Sequence, residues 1–171
     1  MRGPQRSDRS RVFGVERESM TPDLIAGIDP GASGGIALLT LDKGEIVGVW
    51  PMPDTETEIV ELLAEFAPRI AMVALEQVTP MAKQGLGSTW KFGQHYGLLR
   101  GILATLMLRR EFIRPQVWQP ALGIPKRGDK TKTGHKNATK SKAQELWPKQ
   151  KITHHTADAL LLAEHLRRRQ P

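Results

Sequence analysis

The sequence predicts an α/β domain on a five-stranded mixed sheet, three antiparallel strands and then parallel crossovers, with helices on both faces. Three observations predict it. Short apolar segments separated by glycine-bearing turns open the folded region. A nearly unbroken apolar segment, Ile70 to Gln77, follows the first helical pattern and implies a strand buried on both faces beside a parallel neighbour. The second half then alternates helix-like and strand-like stretches, the order that parallel crossovers require.

Residues 1–22 are rich in Arg and Ser and lack apolar periodicity, so they read as a disordered basic tail before a single domain over 23–171. Asp8, Glu16 and Glu18 argue against an organelle transit peptide, no apolar h-region marks a secretory signal, and Met20 is a candidate start. Leu24 to Asp29, Gly35 to Leu41 and Glu45 to Met52 form the three antiparallel strands. Thr55 and Glu58 have capping-box spacing, and Ile59, Leu62, Leu63 and Phe66 continue at helical spacing until Pro68. Gly85 and Gly87 lie in a loop before Ser88, the expected cap of a long helix to about Arg109. Phe112-Ile113 is a short fifth strand. The segment Lys126 to Lys136 has two glycines and no apolar residue and is expected to be a mobile loop. Helices over Ala138 to Trp147 and Thr153 to about Arg168 complete the chain.

A chain of 171 residues and no cysteine excludes disulfide frameworks, thiolate metal sites, iron–sulfur clusters and cysteine nucleophiles. Oxygen and nitrogen ligands remain. No apolar run reaches the roughly 18 residues of a membrane span, since Arg100 and Gly101 break Leu98 to Leu108. The net charge is 25 − 18 = +7, and between Arg109 and Lys151 there are 12 basic and 3 acidic residues, so this stretch carries +9 and the remainder −2. Such a concentration points to a polyanion, nucleic acid first, with a solubilising face or an anionic membrane patch as the alternatives.

Three acids interrupt apolar segments. Asp29 ends the first strand before Pro30-Gly31-Ala32-Ser33-Gly34, a pattern that also suits a plain turn. Glu76 ends the fourth strand, where it is either solvated or bound to a cation. Asp158 breaks the apolar face of the last helix, three residues after His155 and four after His154, a spacing that also permits an ordinary intrahelical pair. If the first and fourth strands are parallel neighbours, Asp29 and Glu76 project side by side and the last helix can bring Asp158 to them. Three such carboxylates repel unless a divalent cation joins them. Oxygen ligands favour magnesium or manganese, and a pair of ions could activate water and stabilise a leaving phosphodiester oxygen.

The run Gly27-Ile28-Asp29-Pro30-Gly31, then Glu76-Gln77-Val78 with Met81-Ala82-Lys83 and Lys91-Phe92-Gly93-Gln94, and finally Asp158-Ala159-Leu160, resembles the RuvC family of Holliday junction resolvases. The resemblance spans about Leu24 to Leu166 and implies an RNase H-like fold, a homodimer and paired, metal-dependent nicking of four-way DNA junctions. It implies Asp29, Glu76 and Asp158 as metal-binding catalytic acids with Mg2+, Mn2+ substituting, two ions per site. His155 stands where many members have an acid, as a further metal or proton-transfer residue, and histidine there implies more pH-sensitive activity than a carboxylate would. Lys140 resembles a family lysine near the scissile phosphate, a solvated helical lysine being the alternative. Lys83, Lys91, Lys126, Arg127, Lys130, Lys132 and Lys136 are the expected DNA contacts. The aromatic wedge that bacterial members often carry after Glu-Gln-Val is replaced by Thr79-Pro80-Met81, leaving Met81, Trp90 or another device to open a junction.

The expected setting is cytoplasmic and DNA-associated, in a bacterial or phage-infected cell, and the motifs specify no helicase partner. Two other readings stay open at this level: an RNase H-like nuclease acting on RNA or RNA–DNA hybrid, and a nucleic-acid-binding module whose acids are structural.

Overall fold

A computed structural model describes residues 21–78, 85–125 and 132–171. Its sheet has the strand order β3-β2-β1-β4-β5. β1 (Leu24–Asp29), β2 (Gly35–Thr40) and β3 (Ile46–Pro51) run antiparallel to their neighbours, while β4 (Ile70–Glu76) lies between β1 and β5 (Arg110–Ile113), parallel to both. Two parallel neighbours explain the apolar run in β4, whose Val73, Ala74 and Leu75 are fully buried.

Strand alternation sorts the core into two layers. Leu24, Ala26 and Ile28 of β1, with Val73 and Leu75 of β4, pack against Ile59 and Leu63 of α1 (Glu56–Phe66) and Leu99, Ile102 and Leu103 of α2 (Leu86–Thr105). Ile25 of β1 and Ala74 of β4 face the other way, onto α3 (Pro115–Ala121), α4 (Lys132–Leu146) and α5 (His154–Arg167). Each fully buried Leu or Ile side chain contributes about 1.5–3 kcal/mol to holding these layers together. The α1 capping box is present in both directions: Thr55 Oγ1 accepts from the Glu58 N–H and Glu58 Oε2 from the Thr55 N–H.

Gly27 lets α5 lie directly on the sheet. A Cβ there would come within 2.1 Å of the Ala159 carbonyl oxygen and 2.6 Å of the Ala163 nitrogen, so only glycine permits this approach. α5 is consequently buried almost all round, Thr156 through Leu166, with Asp158 the half-buried exception.

Three local expectations change. α2 begins at Leu86 with Gly85 as its N-cap and no side-chain cap, and ends at Thr105, because Met107 adopts φ 53° and turns the chain into β5. α4 begins at Lys132, so the C-terminal part of the segment expected to be a loop is helical despite Thr133, Gly134 and His135, which are poor helix formers; Thr139 and Ala143 further along bury one face. α3 is a helix that the apolar pattern does not announce. Pro115 at its first turn is a helix-start signal, but Pro120 inside it argues locally against a helix. Residues 1–20, Met81, Lys83, Lys126, Arg127 and Lys130 lie outside the described residues.

Candidate active site

The parallel register pairs Ile28 of β1 with Leu75 of β4, so the next residues, Asp29 and Glu76, end adjacent strands side by side. Both belong to the α5 face of the sheet, because they alternate with Ile28 and Leu75, which face α1 and α2. α5, seated on Gly27, brings Asp158 to the same end. Burial, followed by the charges of Glu76 and Asp158, pushes the Asp29 carboxyl well above the usual carboxylate range, and Lys136 of α4 opposes the shift. The three acids read from the sequence are therefore electrostatic neighbours.

Glu76 is 8% exposed, and its Oε1 accepts from Nε1 of Trp118, 0% exposed, at 3.0 Å. Trp118 comes from α3, the helix not anticipated from sequence. It gives the buried acid a hydrogen-bond donor, and a buried carboxylate without a donor is costly. On the adjacent residue, Gln77 Oε1 accepts from Arg114 Nε at 3.4 Å. Gly34 closes over Asp29: a Cβ on Gly34 would fall 3.2 Å from the Asp29 carboxyl carbon.

The remaining expected residues divide. Lys136 is exposed yet close enough to stabilise the ionised form of Asp29. Lys140 lines an open groove with Asn137, Ser141, Gln144, Glu145 and His154 beside the start of α5. His155 is exposed, and its carbonyl packs beside Gly35, the β2 residue paired with Asp29. Lys91 is exposed on α2, and Lys132 opens α4.

Among the described residues no three His, Asp or Glu side chains form a ready-made metal cage. The acids nevertheless suit a magnesium ion, which is usually held by one or two carboxylates and completed by water and substrate phosphate. Burial and then the charges of Glu76 and Asp158 raise the pKa of the Asp29 carboxyl, and a divalent cation would relieve the repulsion among the three acids.

Among solved structures, this chain is similar to "T. thermophilus RuvC in complex with Holliday junction substrate", at TM-score 0.62 and 18% identity over 83% of this chain and 90% of that one. It is also similar to the Thermus thermophilus RuvC structure, at TM-score 0.57 and 21% identity over 83% and 92%. The fold is that of RuvC. No family model and no curated protein sequence matches the chain. The sheet places Asp29 and Glu76 at the ends of its adjacent parallel strands β1 and β4. None of the described helices is long and apolar enough to cross a membrane.

Proposed function

We propose that this protein is a divalent-metal-dependent endonuclease that resolves four-way DNA junctions by paired phosphodiester hydrolysis. The observation that carries the reading is the meeting of Asp29, Glu76 and Asp158 at one end of the central strands, in a fold shared with a RuvC seen on a Holliday junction substrate. Asp29, Glu76 and Asp158 would hold Mg2+ or Mn2+, one or two ions, with exposed His155 near enough along α5 to join them or to carry a proton. The bound cation supplies Lewis acidity, activating water and stabilising the leaving phosphodiester oxygen.

The chain's own residues do the rest. Trp118 holds Glu76 through a hydrogen bond to its Oε1 and so fixes the carboxylate at the strand end. Lys136 offsets the clustered negative charge and offers a contact for an incoming phosphate, while Lys140 and Lys91 extend the positive surface on α4 and α2. Lys83, Lys126, Arg127, Lys130 and Lys132 are the further proposed DNA contacts. The setting that fits is cytoplasmic and DNA-associated.

Paired nicks on a two-fold junction call for a homodimer, and α2 offers a seam. Leu86 (91% exposed), Trp90 (68% exposed), Gly93, Gly97 and Gly101 lie along one outward face, and a Cβ at any of the three glycines would meet nothing within 4 Å. A second copy is the occupant that the paired chemistry requires.

Cleavage of labelled four-way junctions, with and without magnesium, tests the reading. Asp29→Asn, Glu76→Gln and Asp158→Asn are expected to lose nicking and keep junction binding, since the acids hold metal and the basic surface supplies affinity. Near-normal cleavage by any one variant removes that residue from the site, and cleavage of RNA–DNA hybrid in preference to junctions would favour the hybrid-cutting reading.

A further inference from the structure

The turn that follows Asp29 is held from outside by α2. Gly31 adopts φ 107°, a conformation that L side chains avoid, and its N–H donates to Nδ1 of His95 at 3.2 Å, across 64 residues of sequence. Phe92, one turn earlier on α2, lies against the same glycine: a Cβ on Gly31 would sit 3.5 Å from its ring. The turn passes this restraint on. The Gly34 N–H donates to the Gly31 carbonyl at 2.9 Å, and Gly34 abuts Asp29 so closely that a Cβ would fall 2.0 Å from the Asp29 carbonyl oxygen. The path from imidazole to catalytic acid is continuous: His95, Gly31, Gly34, Asp29.

We propose that His95 is a positioning residue that fixes the aim of the Asp29 carboxylate through the Gly31–Gly34 turn. The proposal rests on the reading of Asp29 as a metal-holding acid. Accepting through Nδ1 requires that this nitrogen carry no proton, so the ring is the neutral Nε2–H tautomer. Burial of the half-buried ring holds its pKa below the ordinary value and keeps the acceptor available, with Glu56 pulling weakly the other way.

The test compares His95→Leu, which keeps bulk and loses the acceptor, with His95→Asn, which keeps an acceptor at a similar reach. Mn2+ affinity of the full chain without DNA is read by calorimetry, and single-turnover cleavage and melting temperature are read beside it. A neutral hydrogen bond is worth roughly a three- to tenfold change in an equilibrium constant. The expected result is Mn2+ affinity and turnover each about three- to tenfold lower in His95→Leu, near-normal junction affinity, and recovery of most of the loss in His95→Asn. Asp29→Asn separates the two claims. If it binds Mn2+ as the unaltered chain does, the reading of Asp29 fails and takes the proposal with it. If Asp29→Asn loses Mn2+ while His95→Leu keeps it, or if His95→Asn is no better than His95→Leu, the positioning role alone is overturned.

Discussion

Replacing Trp118 by phenylalanine isolates the contact that most constrains the site. The substitution removes the Nε1 donor from a 3.0 Å bond to Glu76 and about three ring atoms from a fully buried position. A hydrogen bond to a charged group is worth about 1.5–3 kcal/mol. The two carbons lost with that nitrogen add about 1.6 kcal/mol at ~0.8 kcal/mol per CH2-sized group. The sum, about 3–5 kcal/mol, is a large share of the roughly 5–15 kcal/mol that stabilises a domain. At about 2–4 °C per kcal/mol for a chain of this size, the melting temperature should fall by roughly 6–20 °C. Urea unfolding of Trp118→Phe, Glu76→Gln and the double variant forms the assay. A glutamine Oε1 still accepts from the indole, but as a neutral partner, so Trp118→Phe should cost about 1 kcal/mol less in the Glu76→Gln background. Additive costs would show that the charge of Glu76 adds nothing to the indole bond. Magnesium-dependent cleavage by Trp118→Phe should fall even where the protein remains folded, and unchanged cleavage would refute the role assigned to Trp118.

Gly27→Ala should cost well over the usual 1–3 kcal/mol of overpacking, because its Cβ meets helix backbone rather than a flexible side chain; chemical denaturation measures it. Gly97→Glu should leave melting temperature nearly unchanged, since its Cβ meets open space, yet shift sedimentation from dimer to monomer, and a dimer that survives would remove α2 from the proposed seam. His165 is buried with no hydrogen-bond partner at Nε2 among the described residues, and burial, then Arg169, holds its pKa below the ordinary value while Glu111 pulls it up. The unfolded chain therefore takes up the proton first, so stability should be present above about pH 6.5 and decline as pH falls below it, a decline that His165→Leu should reduce in urea midpoints read from pH 8 to 5. Deleting residues 1–19 should leave melting and cleavage nearly unchanged, as that segment has no apolar periodicity with which to join a core.

The sequence by itself determined the sheet and the acids' place on it. The apolar runs of Leu24–Asp29 and Ile70–Glu76 are local signals that mark both strands and the acid at each end, while the pairing of Ile28 with Leu75 puts those acids on one face. The Thr55–Glu58 box is local too, and α1 begins where it predicts. What surrounds the acids was decided only by tertiary structure. Trp118 reaches Glu76 across 42 residues and His95 reaches Gly31 across 64, separations over which no periodicity or spacing rule speaks. Pro120 disguised α3, whose stability comes from burying Trp118 and Leu122 in the α5 layer rather than from helix propensity. Lys136, one basic residue among many in its stretch, is singled out near Asp29 because Thr139 and Ala143 of the same helix are buried in the layer that contains α5. Local patterning fixes which groups lie on a strand or helix face; packing between distant segments fixes which of them meet, and there the partners of the acids were chosen.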